Sequence, residues 1–172
     1  AAVLWNTKKG DGHGHKETNA INIAAYGKLL MANGGYNGWS ASCKGYSWNY
    51  INSSALSANT VLINYEPGNV KNPSSQNDHR YKYGAGIDES LIGELFGYAR
   101  GDSGQALPIG KSMRSLSMVS TQDGAPGYFF MLDDVWAENA GDAADIVYRP
   151  YSSEYAAEEE NGSYKWTVKG QS

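Results

Sequence analysis

The octet from Gly10 to Glu17, GDGHGHKE, gathers residue types that could carry chemistry, because it holds two of the three histidines in the chain. In an extended loop, His13 and His15 would project to the same side, where one substrate or one metal ion could meet both imidazoles. Imidazole titrates near neutrality and can act as a general acid or base. A metal site would also need a carboxylate, Asp11 or Glu17, and a more distant ligand. A solvated glycine-rich loop without a chemical role is the open alternative.

Charge around the octet favours an anionic ligand. Lys8, Lys9 and Lys16 make a small basic patch on a chain whose net charge is −4 at pH 7. The absence of a long basic run argues against general nucleic-acid binding. Lys16 and the more distant Arg80 are therefore candidate substrate-binding residues that could pair with a carboxylate or sulfate, and the alternative is that they are solvated loop residues.

An aromatic-rich segment follows the histidines, and Tyr36 is its first member. Sugar rings can pack their C–H faces on such side chains, so we take Tyr36 as a candidate substrate-binding residue. The alternative is that these aromatic residues fill the core or cover strand ends.

Length and composition indicate one domain over residues 1–172. The chain is long enough to bury a core, and no hydrophobic run approaches the roughly 20 residues that span a bilayer. Its single cysteine, Cys43, excludes an intrachain disulfide and does not identify a redox compartment. Since the sequence starts abruptly on the strand-like AAVLW, we expect a mature or excised domain.

Short β-rich runs separated by glycine, asparagine and serine predict an all-β fold, a β-sandwich of two packed antiparallel sheets. Gly93 and Gly97 favour a strand over a helix for ESLIGELFGYAR. The run EEENG is typical of a charged hairpin turn, and Asp133 and Asp134 fit a strand-end turn or internal hydrogen bonds better than paired catalytic carboxylates. Alternation predicts ten buried residues: Ile21, Ile23, Leu29, Val61, Ile63, Leu116, Phe130, Leu132, Val135 and Ile146.

The order of four motifs resembles the C-terminal β-sandwich of the heparinase II/III-like polysaccharide lyases: GHGHKETNAINIAAYGKLLMANGGY, NTVLIN, MRSLSMV and YFFMLDDVWA. The resemblance implies a supersandwich-like fold, an acidic polysaccharide as the ligand, and a periplasmic or secreted protein. It also implies a missing N-terminal helical toroid in the parent chain, which would supply the other wall of the cleft. From the net charge and the lack of a long hydrophobic run, we expect no nucleic-acid partner and no membrane span.

By resemblance, His13 is the catalytic histidine of a β-elimination on uronic-acid glycans, in which a base removes the proton beside the carboxylate and an acid protonates the leaving oxygen. His15 matches a histidine that binds a structural metal in many relatives. The other two ligand positions carry Ala32 and Ala58 here. We therefore expect no metal and no cofactor.

Two functions from different classes remain open. The first is the sandwich component of a polysaccharide lyase, which the intact histidine pair and its lysines favour. The second is a non-catalytic carbohydrate-binding or structural module, which the two alanines favour.

Overall fold

The chain is all-β, as its sequence predicts. The computed structural model describes residues 1–8, 15–33, 55–66, 76, 82–148, 157–158 and 161–165. Across these ranges no helix is long and apolar enough to cross a membrane. The described residues form a short 3₁₀ helix, Ala55–Ser57, and eleven strands: β1 Ala2–Trp5, β2 Ala20–Ala25, β3 Lys28–Met31, β4 Val61–Ile63, β5 Gly86–Ile92, β6 Phe96–Asp102, β7 Lys111–Val119, β8 Tyr128–Trp136, β9 Ala144–Ile146, β10 Ala157–Glu158 and β11 Tyr164–Lys165.

The first sheet is antiparallel with the order β1-β2-β3. A two-residue turn joins β2 to β3, and its residues Tyr26 and Gly27 have φ angles of 52° and 71°. Positive φ at both central positions is typical of the tight hairpin turns that match the twist of the flanking strands. Gly27 favours this turn by local sequence, whereas Tyr26 is an unusual residue at positive φ.

The largest sheet is an antiparallel meander in the order β5-β6-β7-β8. The expectation of one strand for ESLIGELFGYAR is wrong in part, because β5 ends at Ile92 and β6 begins at Phe96. The amide of Gly93 donates to the carbonyl of Phe96 at 2.8 Å and closes the intervening turn. The preference for strand over helix is correct. Of the two glycines that disfavour a helix, Gly93 lies in the turn and Gly97 lies in β6.

Two smaller sheets complete the described strands. β4 pairs with β9, and β10 pairs with β11, both in antiparallel register. The second pair brackets the EEENG run, with Gly162 at a φ of 77°. The predicted hairpin at this position is confirmed.

The main core lies between the first sheet and one face of the β5–β8 sheet, which we call the inner face. Ile21, Ile23 and Met31 form one buried cluster with Leu116 of β7. This contact between two sheets is what a β-sandwich requires. Because the described residues also form two further small sheets, the finer expectation of a two-sheet, supersandwich-like fold stays a prediction.

The predicted core is half right. Ile21, Ile23, Val61, Ile63 and Leu116 are buried, and Val135 is half-buried. Four predicted core residues are exposed instead: Leu29, Phe130, Leu132 and Ile146. The reason is clearest in β8, where apolar residues occupy both faces, and strand alternation turns Phe129 and Met131 inward while their neighbours face outward.

Candidate functional site

Three of the predicted site residues, His13, Tyr36 and Arg80, lie outside the described residues, so their roles stay predictions. His15 and Lys16 belong to the described residues, and both are half-buried. The environment of these two residues therefore defines the described part of the candidate site.

A tight turn follows the histidine loop and is fixed by one buried asparagine. The amide of Ala20 donates to the carbonyl of Glu17 at 2.9 Å, and Asn19 within the turn has a φ of 59°. Asparagine tolerates this left-handed conformation better than most residues do. The Oδ1 atom of Asn19 accepts from Asn6 at 2.6 Å, and its Nδ2 donates to the carbonyl of Ser112 at 3.4 Å. The turn is thus held by two other segments of the chain.

Hydrogen bonds join the histidine-loop exit to distant segments. The Nδ2 atom of Asn33 donates to Oε2 of Glu17 at 2.9 Å. The hydroxyl of Thr60 donates to the carbonyl of Thr18 at 2.6 Å. Gln76 bonds both backbone groups of Thr18, accepting from the amide at 3.1 Å and donating to the carbonyl at 3.2 Å. Segments 15–19, 32–33 and 58–60 therefore meet in one place, which we call the convergence site.

A buried ion pair anchors the convergence site to the β5–β8 sheet. Arg114 is fully buried, and its Nε and Nη2 atoms bond the two carboxylate oxygens of Asp133 at 2.6 and 3.0 Å. Its Nη1 atom donates to the carbonyl of Asn19 at 2.7 Å and also to the carbonyl of Asn59. A planar guanidinium with a fixed fork of donors suits this bidentate and bridging role.

For Asp133 and Asp134 the sequence indicated a strand-end turn or internal hydrogen bonds. The strand-end turn is wrong because both residues lie within β8, and Asp133 makes internal hydrogen bonds with Arg114, a residue that the sequence-based predictions missed. The sequence did contain a signal that Arg114 is buried. In the alternating run SMRSLSM, Arg114 lies two residues before Leu116 and therefore on the same face of the strand, which faces the core. A charged residue at such a position needs a buried partner, and Asp133 is its direct cross-strand neighbour.

Burial also affects a tyrosine beside the ion pair. Partial removal from water raises the pKa of Tyr148, which stays 49% exposed, and the negative charge of Asp133 raises it further. The hydroxyl of Tyr148 donates to Oδ2 of Asp133 at 3.3 Å. The neutral phenol is therefore the form that the folded protein favours.

The described residues do not fit the metal that the family resemblance implies. Ala58 is buried and Ala32 is half-buried, and neither side chain has a donor atom. The Oδ1 atom of Asn33 is buried and accepts no hydrogen bond within the described ranges, yet a neutral amide oxygen is a weak ligand for zinc. In the same part of the chain, no three His, Cys, Asp or Glu side chains lie close enough to share an ion.

Comparison with known proteins adds no relative. The sequence matches no protein-family model and no curated protein. The resemblance to polysaccharide lyases therefore depends on the order of the quoted motifs.

Proposed function

We propose that this chain is the β-sandwich component of a polysaccharide lyase that cleaves uronic-acid-containing glycans by β-elimination. The convergence site is the observation that supports this proposal most strongly. Segments 15–19, 32–33 and 58–60 are distant in sequence, and they are the segments that carry the site beside the catalytic loop in the family that the motifs resemble. Arg114 holds two of them to the sheet through the carbonyls of Asn19 and Asn59.

The reaction needs a base, a group that neutralises charge, and an acid. A base removes the proton from the carbon beside the uronate carboxylate, the C–O bond to the leaving sugar breaks, and a carbon–carbon double bond forms. The leaving oxygen takes up a proton, and no water is consumed. His13 serves in proton transfer or charge neutralisation. Lys16, with Arg80, pairs with the carboxylate, and Tyr36 packs against a sugar ring.

A rigid support beneath the histidine loop would serve this chemistry, because small displacements of catalytic groups lower the reaction rate. The turn that follows the histidine loop contains Asn19, which is fully buried and accepts a hydrogen bond from Asn6. The opposite wall of the cleft, with its own tyrosine and asparagine, comes from a helical domain of the parent protein.

The test is β-elimination measured by the ultraviolet absorbance of unsaturated sugar ends. Heparin-like, alginate-like and other uronate polymers are incubated with the 172-residue chain and with the parent protein. We expect turnover by the parent and little by the chain alone, because one wall of the cleft is missing. His13→Ala in the parent should reduce turnover far more than it reduces the melting temperature. A parent without turnover on any of these polymers would contradict the proposal.

A non-catalytic carbohydrate-binding module is the second candidate, and Ala32 and Ala58 favour it. Neither side chain can hold the structural metal that the resemblance implies. Under this alternative the parent binds uronate polymers without cleaving them, and His13→Ala has no effect on the rate of product formation because none forms.

A further inference from the structure

The second face of the β5–β8 sheet, opposite the inner face, carries large apolar side chains that water reaches. We call it the outer face. Phe130 and Leu132 of β8 are 59% and 55% exposed there. Further exposed apolar side chains lie on the same face by strand parity and pairing: Leu91, Phe96, Tyr128 and Trp136. Soluble proteins rarely expose a contiguous apolar surface of this kind without a binding partner.

Small residues on β7 form a groove in this apolar surface. On the outer face, Ser117 of β7 stands between Phe130 of β8 and Tyr98 of β6, in direct cross-strand register with both. Two residues earlier on β7, Ser115 lies in the same way between Leu132 of β8 and Arg100 of β6. Serine side chains are short, so β7 forms the floor and its two neighbours form the walls. We call these six residues the outer groove.

The dimensions and the polar groups of the outer groove suit a single linear chain. The strands that carry its walls are two strand spacings apart, about 10 Å between backbones, so the groove takes one linear chain at most. The floor offers hydroxyl groups, and the phenol of Tyr98 lies 3.3 Å from Oγ of Ser115. One aromatic residue on each wall and a hydroxyl floor match a ligand that has C–H faces and hydroxyl edges.

The charges on the outer face decide whether an acidic or an uncharged polysaccharide fits the groove. On the outer face, Arg100 pairs with Asp88 at 2.8 Å and with Glu89 at 3.1 Å. On the same face, Lys111 pairs with Asp102 at 2.8 Å. These two cations of strands β6 and β7 are therefore already neutralised by carboxylates. Asp134, in register with Met113, adds a further negative charge. The outer face would thus repel a polyanion.

We propose that the outer groove binds a linear, uncharged polysaccharide. Rings of the ligand pack on Phe130 and Tyr98, and its hydroxyl groups bond Ser115 and Ser117. The site is distinct from the convergence site because Arg114 and Ser115 point to opposite faces of β7. It therefore stands independently of the proposed lyase function and would tether the protein to a neutral glycan.

The test measures binding to soluble neutral β-glucan, xylan and mannan, and to alginate as an acidic control. Affinity electrophoresis surveys the polymers, and isothermal titration calorimetry with hexasaccharides of the best one gives the affinity. Two variants alter the groove: Phe130→Ala removes a wall, and Ser117→Phe fills the floor. Tyr26→Ala is the control, since Tyr26 is an exposed aromatic residue in the β2–β3 turn, remote from the groove in the fold.

We expect one neutral polymer to bind, and both groove variants to weaken its affinity at least tenfold while Tyr26→Ala leaves it unchanged. Circular dichroism and melting temperature establish that each variant is folded. Binding of alginate alone, or of no polymer at millimolar oligosaccharide concentration, would overturn the proposal. So would a concentration-dependent dimer in sedimentation that Ser117→Phe abolishes, because the groove would then be a contact between two copies of the chain.

Discussion

The guanidinium of Arg114 and the carboxylate of Asp133 face each other directly across β7 and β8, joined by two hydrogen bonds of 2.6 and 3.0 Å in the interior. The same guanidinium reaches the backbone carbonyls of Asn19 and Asn59. One side chain therefore connects the sheet to two of the three segments of the convergence site. Its removal would leave a buried carboxylate and two buried carbonyl oxygens without this donor.

Replacing Arg114 by alanine should destabilise the protein strongly. Breaking a buried pair by removing one partner costs about 3–5 kcal/mol, because the remaining charge stays buried and uncompensated. Chemical denaturation followed by tryptophan fluorescence measures the loss. Arg100→Ala is the matched control on the adjacent strand, where the ion pair with Asp88 is exposed, and it should change stability far less. Equal losses in the two variants would contradict the anchoring role of Arg114.

Gly101 should not tolerate a side chain, whereas Gly97 on the same strand should. A Cβ atom at Gly101 would lie 2.3 Å from Oδ1 of the buried Asn19, and a Cβ atom at Gly97 meets nothing within 4 Å. Gly101→Ala should therefore cost about 1–3 kcal/mol through overpacking. Gly97→Ala should be neutral or slightly stabilising because it restricts the unfolded chain. Urea midpoints of the two variants compare them directly, and a tolerated Gly101→Ala would disprove the close approach.

Tyr148 should make stability depend on pH in the alkaline range. Its folded-state pKa is raised, so the unfolded chain loses this proton first as the pH rises. The stabilisation from the neutral phenol is complete below about pH 10 and is lost as the pH rises through the folded-state pKa. The stability difference between the wild type and Tyr148→Phe should thus be constant from neutral pH to about pH 10 and shift against the wild type above it. Curves that stay parallel above pH 10 as well would contradict the raised pKa.

Metal removal should leave the protein unchanged. Because Ala32 and Ala58 stand at two ligand positions of the family that the motifs resemble, we expect a chelator to leave the melting temperature as it was. Added zinc should not raise it appreciably. Differential scanning fluorimetry and metal analysis of the purified protein make both measurements. Stoichiometric metal that is lost together with stability in His15→Ala would refute this prediction and indicate a rearranged ligand set.

Local sequence was sufficient for two of the turns. The β2–β3 turn and the hairpin around EEENG were predictable because Gly27 and Gly162 adopt positive φ without steric cost. The single strand predicted for ESLIGELFGYAR was wrong because Gly93 was treated only as a poor helix residue. Its position between two β-rich runs was equally consistent with a turn.

The sequence by itself determined the all-β fold and the turns that contain Gly27 and Gly162, since these depend on neighbours a few residues apart. Only the tertiary structure decided which face of β8 is covered, because YFFML presents apolar side chains to both faces and alternation cannot choose between them. The convergence site is likewise a product of packing. Arg114 and Asn19 stand 95 positions apart, and a hydrogen bond between them requires the two sheets to have already met.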